Sequence, residues 1–194
     1  MINTKDKIKN TFLELYCSND IEKIKVNTIC KMTNISRTTF YKNFNKVDDI
    51  LKEIELSVYD YFDLLKRKLP NIDVCLLKDN ELATNILEIY KYILDNRKIF
   101  KAFFSKDKEH LIIIKIKKKI KSNLKHTYYK YFNDDEDFSC FQEIIATNLI
   151  NNSLIIIDYY NIINLESLTI KTQREIKDLI INKNNYFKKE TVVN

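Results

Sequence analysis

The sequence predicts an all-α protein. Apolar residues recur at the three- and four-residue spacing of helices with one buried face along most of the 194 residues. No segment shows the sustained alternation of a strand or the turn residues of a hairpin. The only proline, Pro70, marks a boundary, because a helix seldom crosses proline. We therefore expect an N-terminal three-helix domain, a long linking helix and a C-terminal helical domain.

The first predicted helix runs from about Lys5 to Cys17. Its apolar residues recur at helical spacing, and they are Ile8, Phe12, Leu15 and Tyr16. This amphipathic helix can cover the inner face of the segment that follows it.

That next segment, Val26 to Phe44, contains two short helical patterns around one tight turn. The first pattern places Ile29 and Cys30 inward, with Met32 able to pack at its edge. It ends at Thr33-Asn34, and Asn suits the turn because it readily enters the left-handed backbone region that ends a helix. Ile35 is expected to fill the angle between the two helices.

The second pattern runs from Arg37 to Asn43, with Ser36 as its N-cap. Phe40 and Phe44 face inward in this helix. The polar, cationic and aromatic residues left largely outside are Arg37, Thr38, Thr39, Tyr41, Lys42 and Asn43. Arg and Asn can make bidentate contacts with guanine and adenine, a Thr methyl can touch thymine, and Lys and Tyr can hold phosphates. The alternative is a merely solvated face, but the turn and the cap favour a helix-turn-helix that binds DNA.

A long linking helix is predicted at about 47–69, because apolar residues continue at helical spacing until Pro70. These residues are Ile50, Leu51, Ile54, Val58, Phe62 and Leu65. The predicted domains are a helix-turn-helix DNA-binding domain at 1–47 and a helical effector-binding and dimerisation domain at 48–194.

This N-terminal arrangement resembles the TetR family of bacterial transcriptional regulators over residues 5 to 55. The matching features are the Ile29-Cys30 pair, the Asn34-Ile35 turn, the Ser36 cap and the ending Tyr41-Lys42-Asn43-Phe44. Beyond residue 55 only the run of helices is similar. The resemblance implies a dimer in which the last two long helices pair with their mates. Two recognition helices would then meet half-sites about 34–36 Å apart, or a multiple of that distance.

The chain departs from the family pattern at three places. Asn34 replaces the usual turn Gly, and Lys25 replaces a Thr or Ser that starts the second helix. Val47 stands where the family has a phosphate-binding Lys, with Lys46 one residue earlier. We expect Asn45 to cap the next helix, with Asp48 three residues on, which would restore Lys46 to a phosphate-facing position. The predicted DNA contacts are Lys25, Asn27, Ser36, Arg37, Thr38, Thr39, Tyr41, Lys42, Asn43 and Lys46.

The second domain is predicted to contain five helices, at about 80–96, 97–105, 108–132, 138–163 and 169–183. The acidic run 134–137 is interpreted as a loop before a helix N-terminus, and Ser167 or Thr169 as the cap of the last helix. The helix containing Phe141, Ile145, Leu149, Leu154, Ile156 and Ile157 is apolar on more than one face. One face can pack inward while another meets a partner.

In the TetR family an effector pocket lies between the central helices of the second domain. By inward spacing the candidate residues are Tyr90, Ile93, Phe104, Ile114, Tyr128, Phe141 and Ile145, and each also fits a plain core position. No metal or other cofactor is expected, because His110 and His126 lack an obvious third ligand. The four cysteines have no paired spacing and read as reduced thiols. Cys17 and Cys30 fit core positions, and Cys75 or Cys140 is a weaker candidate for redox sensing.

The net charge of +6 is unevenly distributed. Residues 1–47 carry +5, residues 48–96 carry −5, residues 97–131 carry +10 and residues 132–194 carry −4. A positive N-terminal segment beside an acidic body favours one orientation towards DNA. In the basic segment 115–125 the lysines alternate with helically spaced apolar residues. They are interpreted as solvated or as facing acidic segments; an anionic effector site and membrane contact are the alternatives.

The composition excludes several classes of function. Without glycine there is no P-loop, nucleotide-binding fingerprint or nucleophile elbow. No apolar run approaches 20 residues and no signal peptide is evident, so we expect a cytoplasmic protein without membrane contact. The predicted function is a homodimeric, sequence-specific transcriptional regulator, a repressor that a small-molecule effector releases from its double-stranded DNA operator. The alternatives are an activator or co-activator acting through a protein partner, and a helical enzyme, for which no nucleophile-base pair or carboxylate constellation is found.

Overall fold

A computed structural model describes residues 3–68, 71–78, 81–104 and 111–183, and within these ranges the chain forms nine α-helices and no strand. The helices are α1 (Thr4–Tyr16), α2 (Val26–Thr33), α3 (Arg37–Tyr41), α4 (Val47–Lys68), α5 (Thr84–Asp95), α6 (Arg97–Phe104), α7 (Leu111–Tyr128), α8 (Asp135–Asp158) and α9 (Leu165–Ile181). Short 3-10 helices lie at Ile21–Lys23, Val74–Leu76 and Tyr129–Tyr131. The predicted helix order is confirmed, and the differences lie at the helix ends.

Capping side chains explain two of these differences. The Asp134 carboxylate accepts a hydrogen bond from the Asp137 backbone N–H at 2.8 Å, so the acidic run is the cap and first turn of α8. Our interpretation of this run as a loop was wrong. Asn164 caps α9 by accepting from the Ser167 N–H at 2.9 Å. Ser167 and Thr169 therefore lie inside α9, and the predicted cap was wrong by three residues or more.

Other predicted ends shift by a few residues. The helix predicted from residue 80 begins at Thr84, and the one predicted to reach 163 ends at Asp158. The helix predicted to reach 132 ends as α-helix at Tyr128 and continues as a 3-10 turn. Residues 69, 80, 105 and 108–110 of the predicted helices lie outside the described residues.

Two compact units make up the chain. One combines Met1–Leu64 with Asn96–Ile113, and the other combines Leu65–Asp95 with Ile114–Asn194. The spacing pattern did not indicate that 96–113 groups with the N-terminal helices. The functional boundary at residue 47 stays a prediction.

The first unit buries most of the large apolar side chains that the spacing predicts, although Leu15 is half-buried and Leu13 is buried instead. Ile8, Phe12, Ile29, Phe40 and Ile50 are fully buried. The Phe12 and Tyr16 rings stack 5.2 Å apart on α1, and α1 contacts both α2 and α6. Burying a side chain of this size contributes about 1.5–3 kcal/mol. The apolar face of α1 therefore packs against the inner side of the helix-turn-helix.

The second unit has an aromatic cluster and a buried polar network. The rings of Phe132 and Phe141 lie 4.9 Å apart, and Tyr128 meets Phe141 edge-on at 5.8 Å. The network joins α5, α8 and α9 through the Tyr90 and Thr172 hydroxyls and the Asn152 amide. Because buried polar groups are costly without partners, this network also fixes the alignment of the three helices.

Candidate nucleic-acid interface

The turn between α2 and α3 has the geometry that the sequence predicts. Asn34 has φ 54° and ψ 48°, and among the described residues it alone has a positive φ. The Ile35 N–H donates to the Cys30 carbonyl at 3.0 Å and the Asn34 N–H to the Lys31 carbonyl at 3.3 Å. These two bonds form a Schellman motif, which satisfies the last carbonyls of α2 and sets the direction in which the chain enters α3.

Ser36 caps α3, as predicted. Its hydroxyl accepts from the Thr39 N–H at 3.0 Å and lies 2.8 Å from the Thr39 hydroxyl. The cap satisfies a backbone donor that a short helix cannot satisfy internally. The hydroxyls of Ser36 and Thr39 are thus bonded to each other at the start of the exposed face.

The outward face of α3 carries the predicted row of side chains. Arg37, Thr38, Tyr41 and Lys42 are exposed, and Thr39 and Asn43 are half-buried. Phe40 and Phe44 face inward, with relative exposures of 0% and 4%. One N–H of the Asn43 amide donates to the Thr39 carbonyl at 2.8 Å, so Asn43 is held against its own helix. The regular helix ends at Tyr41, two residues before the predicted end at Asn43.

Arg37 makes a contact that the sequence did not reveal. Its Nε donates to Oδ1 of Asn27, the second residue of α2, at 2.5 Å. Both side chains are exposed. The first residue of the candidate recognition helix is therefore oriented by the helix packed against it.

A groove of about 330 Å³ lies between the amino-terminal ends of α2 and α4. Its lining residues are Ile21, Glu22, Ile24, Lys25, Val26, Tyr41, Asn45, Lys46, Val47 and Asp48. Two helix amino-terminal ends and two lysines favour an anion such as a phosphate, while Glu22 and Asp48 oppose it at the rim. Lys25 directly precedes α2, and its ammonium donates to the Glu22 carbonyl at 2.9 Å.

The capping of α4 corrects one prediction. The Lys46 N–H donates to the Asp49 carboxylate at 3.2 Å, and the Asp49 N–H donates to the Lys46 carbonyl at 3.2 Å. The capping-box geometry that we expected from Asn45 and Asp48 is thus displaced by one residue, because Val47 is buried and begins the helix. Lys46 still lies at the amino-terminal end of α4, with its side chain exposed.

All ten predicted DNA contacts lie in the first unit, from Lys25, directly before α2, to Lys46, directly before α4. Met32, predicted to pack at the edge of α2, is 53% exposed, and Ile35 is half-buried at the turn. The spacing of residues in the sequence did not predict this groove. The proximity of Lys25 and Lys46 to two helix amino-terminal ends was the available signal.

The seven predicted effector residues fall in both units and differ in burial. Tyr90, Ile93, Tyr128, Phe141 and Ile145 are buried in the second unit. Phe104 lies in the first unit and is half-buried. Ile114 is 48% exposed, so its predicted inward position was wrong, because Ile112 and Ile116 take the inward positions of α7.

The two buried tyrosines in this set use their hydroxyls within the protein. Tyr128 donates to the Ile72 carbonyl at 3.1 Å and accepts from the Val74 N–H at 3.2 Å. Tyr90 lies 2.7 Å from the Thr172 hydroxyl and accepts from Asn152 at 2.9 Å. Burial raises the pKa of both phenols, so both are neutral. The hydroxyls therefore hold core segments together.

The basic segment of α7 contacts acidic and aromatic groups of its own unit. Lys117 and Lys121 both hydrogen-bond the Glu143 carboxylate of α8, Lys121 at 3.0 Å. The Lys125 ammonium lies 5.4 Å from the centre of the Tyr129 ring. These contacts support the interpretation that the lysines face acidic groups. An anionic effector site and membrane contact stay predictions for this segment.

The described parts of the chain offer few groups that could bind a metal ion or act as a reactive thiol. No group of three or more His, Cys, Asp or Glu is placed to hold a metal ion there, and His110 lies outside those parts. The four cysteines lie within the described ranges and are thiols: Cys30 is buried, Cys17 and Cys75 are half-buried, and Cys140 is exposed. Burial and the neighbouring Asp73 raise the pKa of Cys75 to about 11, which disfavours the reactive thiolate.

Among the described helices, α8 is long and apolar enough to cross a membrane by length and composition. In its most apolar stretch, 44% of the residues are buried inside the protein. The core helix of a water-soluble protein has the same properties, so this is weak evidence for a membrane span.

Comparison with known proteins supports the fold. Neither a family model nor a curated protein sequence matches the chain. Among solved structures, the chain is similar to the dihydroxyacetone kinase operon activator DhaS, with a TM-score of 0.52 and 18% sequence identity. The likeness covers 97% of this chain and 100% of that chain. At this identity the likeness establishes the fold alone, and the predicted all-α fold is confirmed.

Proposed function

We propose that this chain is a sequence-specific DNA-binding transcriptional regulator. The observation that carries the proposal is the exposed face of α3, where Arg37, Thr38, Tyr41 and Lys42 follow a capped turn of defined geometry. These side chains combine base-reading and phosphate-binding chemistry on one short helix. The fold likeness to a solved operon activator supports the same class of function.

The test is salt-dependent binding of the purified full-length chain to the DNA upstream of its own gene. Scrambled DNA of the same length and base composition is the control. We expect the upstream DNA to bind about 10³-fold more tightly or better, with affinity falling as salt rises. Equal affinity for both DNAs would remove the sequence-specific proposal.

In this proposal the protein is a homodimer, and α8 and α9 form the interface between the two copies. Supporting this, α8 exposes large apolar side chains at Ile144, Leu154 and Ile155 although its inner face is already buried. Ile144 and Ile155 lie eleven residues apart, about three turns, and so share one face. We expect Ile155→Lys, on that shared face, to produce a monomer in analytical ultracentrifugation. Leu76→Lys, at a residue 75% exposed in the same unit, is the control and should leave the dimer intact.

We propose that the protein acts in the cytoplasm as a repressor. A small-molecule effector that binds the second unit would relieve the repression. An effector would shift the spacing of the two recognition helices only if it binds the two arrangements with different affinity. Activation through a protein partner is the second candidate. It is favoured by the exposed apolar residues after α8, where Tyr159 is 57% and Ile162 is 81% exposed. Deleting the gene should raise expression of a reporter under its operator if the protein represses, and lower it if the protein activates.

A further inference from the structure

The side chain of Asn27 faces that of Arg37 across the junction of α2 and α3. Arg37 Nε donates to Asn27 Oδ1 at 2.5 Å. A guanidinium has only donors, so the atom of Asn27 that meets it must be the amide oxygen. The orientation of the Asn27 side chain is therefore fixed, with its NH₂ group on the other side.

This bond leaves a defined part of Arg37 for other contacts. The guanidinium has five N–H donors in one plane, and Nε supplies one of them. The two Nη groups form the end of the fork, which can meet the O6 and N7 acceptors of guanine in the major groove. Because Nε is engaged, the side-on approach through Nε and one Nη is no longer open to a base.

We propose that Asn27 is a positioning residue that presents the Nη fork of Arg37 to a single base, and that it is not itself a phosphate contact. The proposal rests on the proposed function. Both side chains are exposed, so without the bond Arg37 would sample many rotamers. Fixing them before binding removes an ordering cost, which sharpens discrimination at the base that Arg37 meets.

A positioning role for Asn27 predicts a different result from a role as a phosphate contact. Loss of a phosphate contact weakens binding to all sequences alike, whereas loss of an oriented base-reading group flattens preference at one position. Asn27→Ala should therefore lower the base preference at the Arg37 position about 2- to 10-fold, the range expected for one freed side chain. Its affinity for scrambled DNA should stay unchanged.

The experiment is selection from a random duplex library by the full-length chain, followed by affinity measurements on single-base variants of the selected site. Arg37→Ala identifies the position that Arg37 reads. Asn27→Asp keeps an oxygen in place and should retain the preference. Thr28→Ala, at the next exposed residue of α2, is the matched control and should give the wild-type profile. Adding Asn27→Ala to Arg37→Ala should change nothing further.

Three results would overturn the proposal: an unchanged base profile in Asn27→Ala, an equal loss of affinity at every position, or a gain of affinity, which would mean that Asn27 withholds Arg37 from DNA. Thermal unfolding of each variant checks that the fold is retained. If the wild-type chain enriches no sequence, the proposed function fails and this inference fails with it. If it enriches a site that Asn27→Ala reads identically, only the inference fails.

Discussion

The hydroxyl groups of Tyr90 on α5 and Thr172 on α9 lie 2.7 Å apart in the core of the second unit. The Asn152 amide of α8 donates to both, at 2.9 and 3.2 Å. Tyr90 and Thr172 are fully buried, and Asn152 is 7% exposed. One hydrogen-bonded triad thus joins α5 to the consecutive helices α8 and α9, and the Thr172 hydroxyl also donates to the Leu168 carbonyl at 3.0 Å.

Replacing Tyr90 by Phe should destabilise the protein by about 1–3 kcal/mol. The substitution keeps the ring but removes an acceptor of Asn152 and a partner of Thr172 in a site without water access. Thr172→Val should cost a similar amount, and the double variant less than the sum, because the two residues share one network. Urea unfolding followed by circular dichroism measures these differences.

Tyr159→Phe is the control for that series, since Tyr159 is 57% exposed in the same unit. It should change the free energy of unfolding by less than about 0.5 kcal/mol. If Tyr90→Phe were as neutral as this control, the triad would contribute nothing to stability.

Asp73 should make stability depend on pH in the acid range. Burial by itself raises the pKa of this carboxyl group, but hydrogen bonds from Lys130, Tyr131 and the Cys75 N–H outweigh burial and lower it. The Lys130 ammonium lies 2.7 Å and the Tyr131 hydroxyl 2.8 Å from Oδ2. Because the folded-state pKa is depressed, the stabilisation is present above the unfolded-state pKa of about 3.9 and is lost as pH falls through the folded-state value.

The measurement compares the wild-type chain with Asp73→Asn by chemical unfolding between pH 7 and pH 2. The variant should be less stable by about 1–3 kcal/mol at pH 7. The difference should stay constant down to about pH 4 and then shrink, because the wild-type carboxylate becomes protonated. A difference that is independent of pH would show that the charge of Asp73 is not what stabilises the protein.

Local chemistry made the helix-turn-helix predictable. Asn34 and Ser36 are residues whose own side chains and backbone preferences end one helix and start the next. The inward positions of Ile29 and Phe40 follow from spacing alone. The exposed face of α3 can therefore be predicted from the sequence without knowledge of any tertiary contact.

Tertiary contacts decided what the sequence could not. Ile112, Ile113 and Ile114 are consecutive, and spacing alone did not show that Ile114 would be the exposed one. Gln173 accepts from the Ala83 N–H and donates to the Glu81 carbonyl, about ninety residues away, and no periodicity encodes such a pair. The Asn27–Arg37 bond likewise depends on rotamers that are fixed only when the two helices pack.

Asn34→Ala should destabilise the protein and Asn34→Gly should not. The φ of 54° places Asn34 in the left-handed region, which costs an alanine about 1–2 kcal/mol and glycine almost nothing. Urea unfolding of the two variants measures this difference. Equal stabilities would contradict the cap geometry. Because the turn directs α3, Asn34→Ala should also weaken binding to the selected DNA, while Asn34→Gly retains it.

Two of the candidate phosphate contacts, Lys42 and Lys46, should differ from Arg37 in how their loss depends on salt. Lys42 is exposed at the end of α3, and Lys46 is exposed at the amino-terminal end of α4. An ammonium that neutralises one phosphate releases condensed counterions but carries no base information. Lys42→Ala and Lys46→Ala should each weaken binding to selected and scrambled DNA alike and reduce the salt slope by about 1.

Arg37→Ala should behave differently, costing about 1–3 kcal/mol on the selected site and relaxing preference at one base. Binding isotherms at several salt concentrations on both DNAs separate the two behaviours. Lys31→Ala is a charge-matched control, since Lys31 is exposed on α2 and is not among the predicted contacts. An unchanged affinity and salt slope in Lys46→Ala would remove Lys46 from the interface. The groove beside it would then have no assigned role in binding DNA.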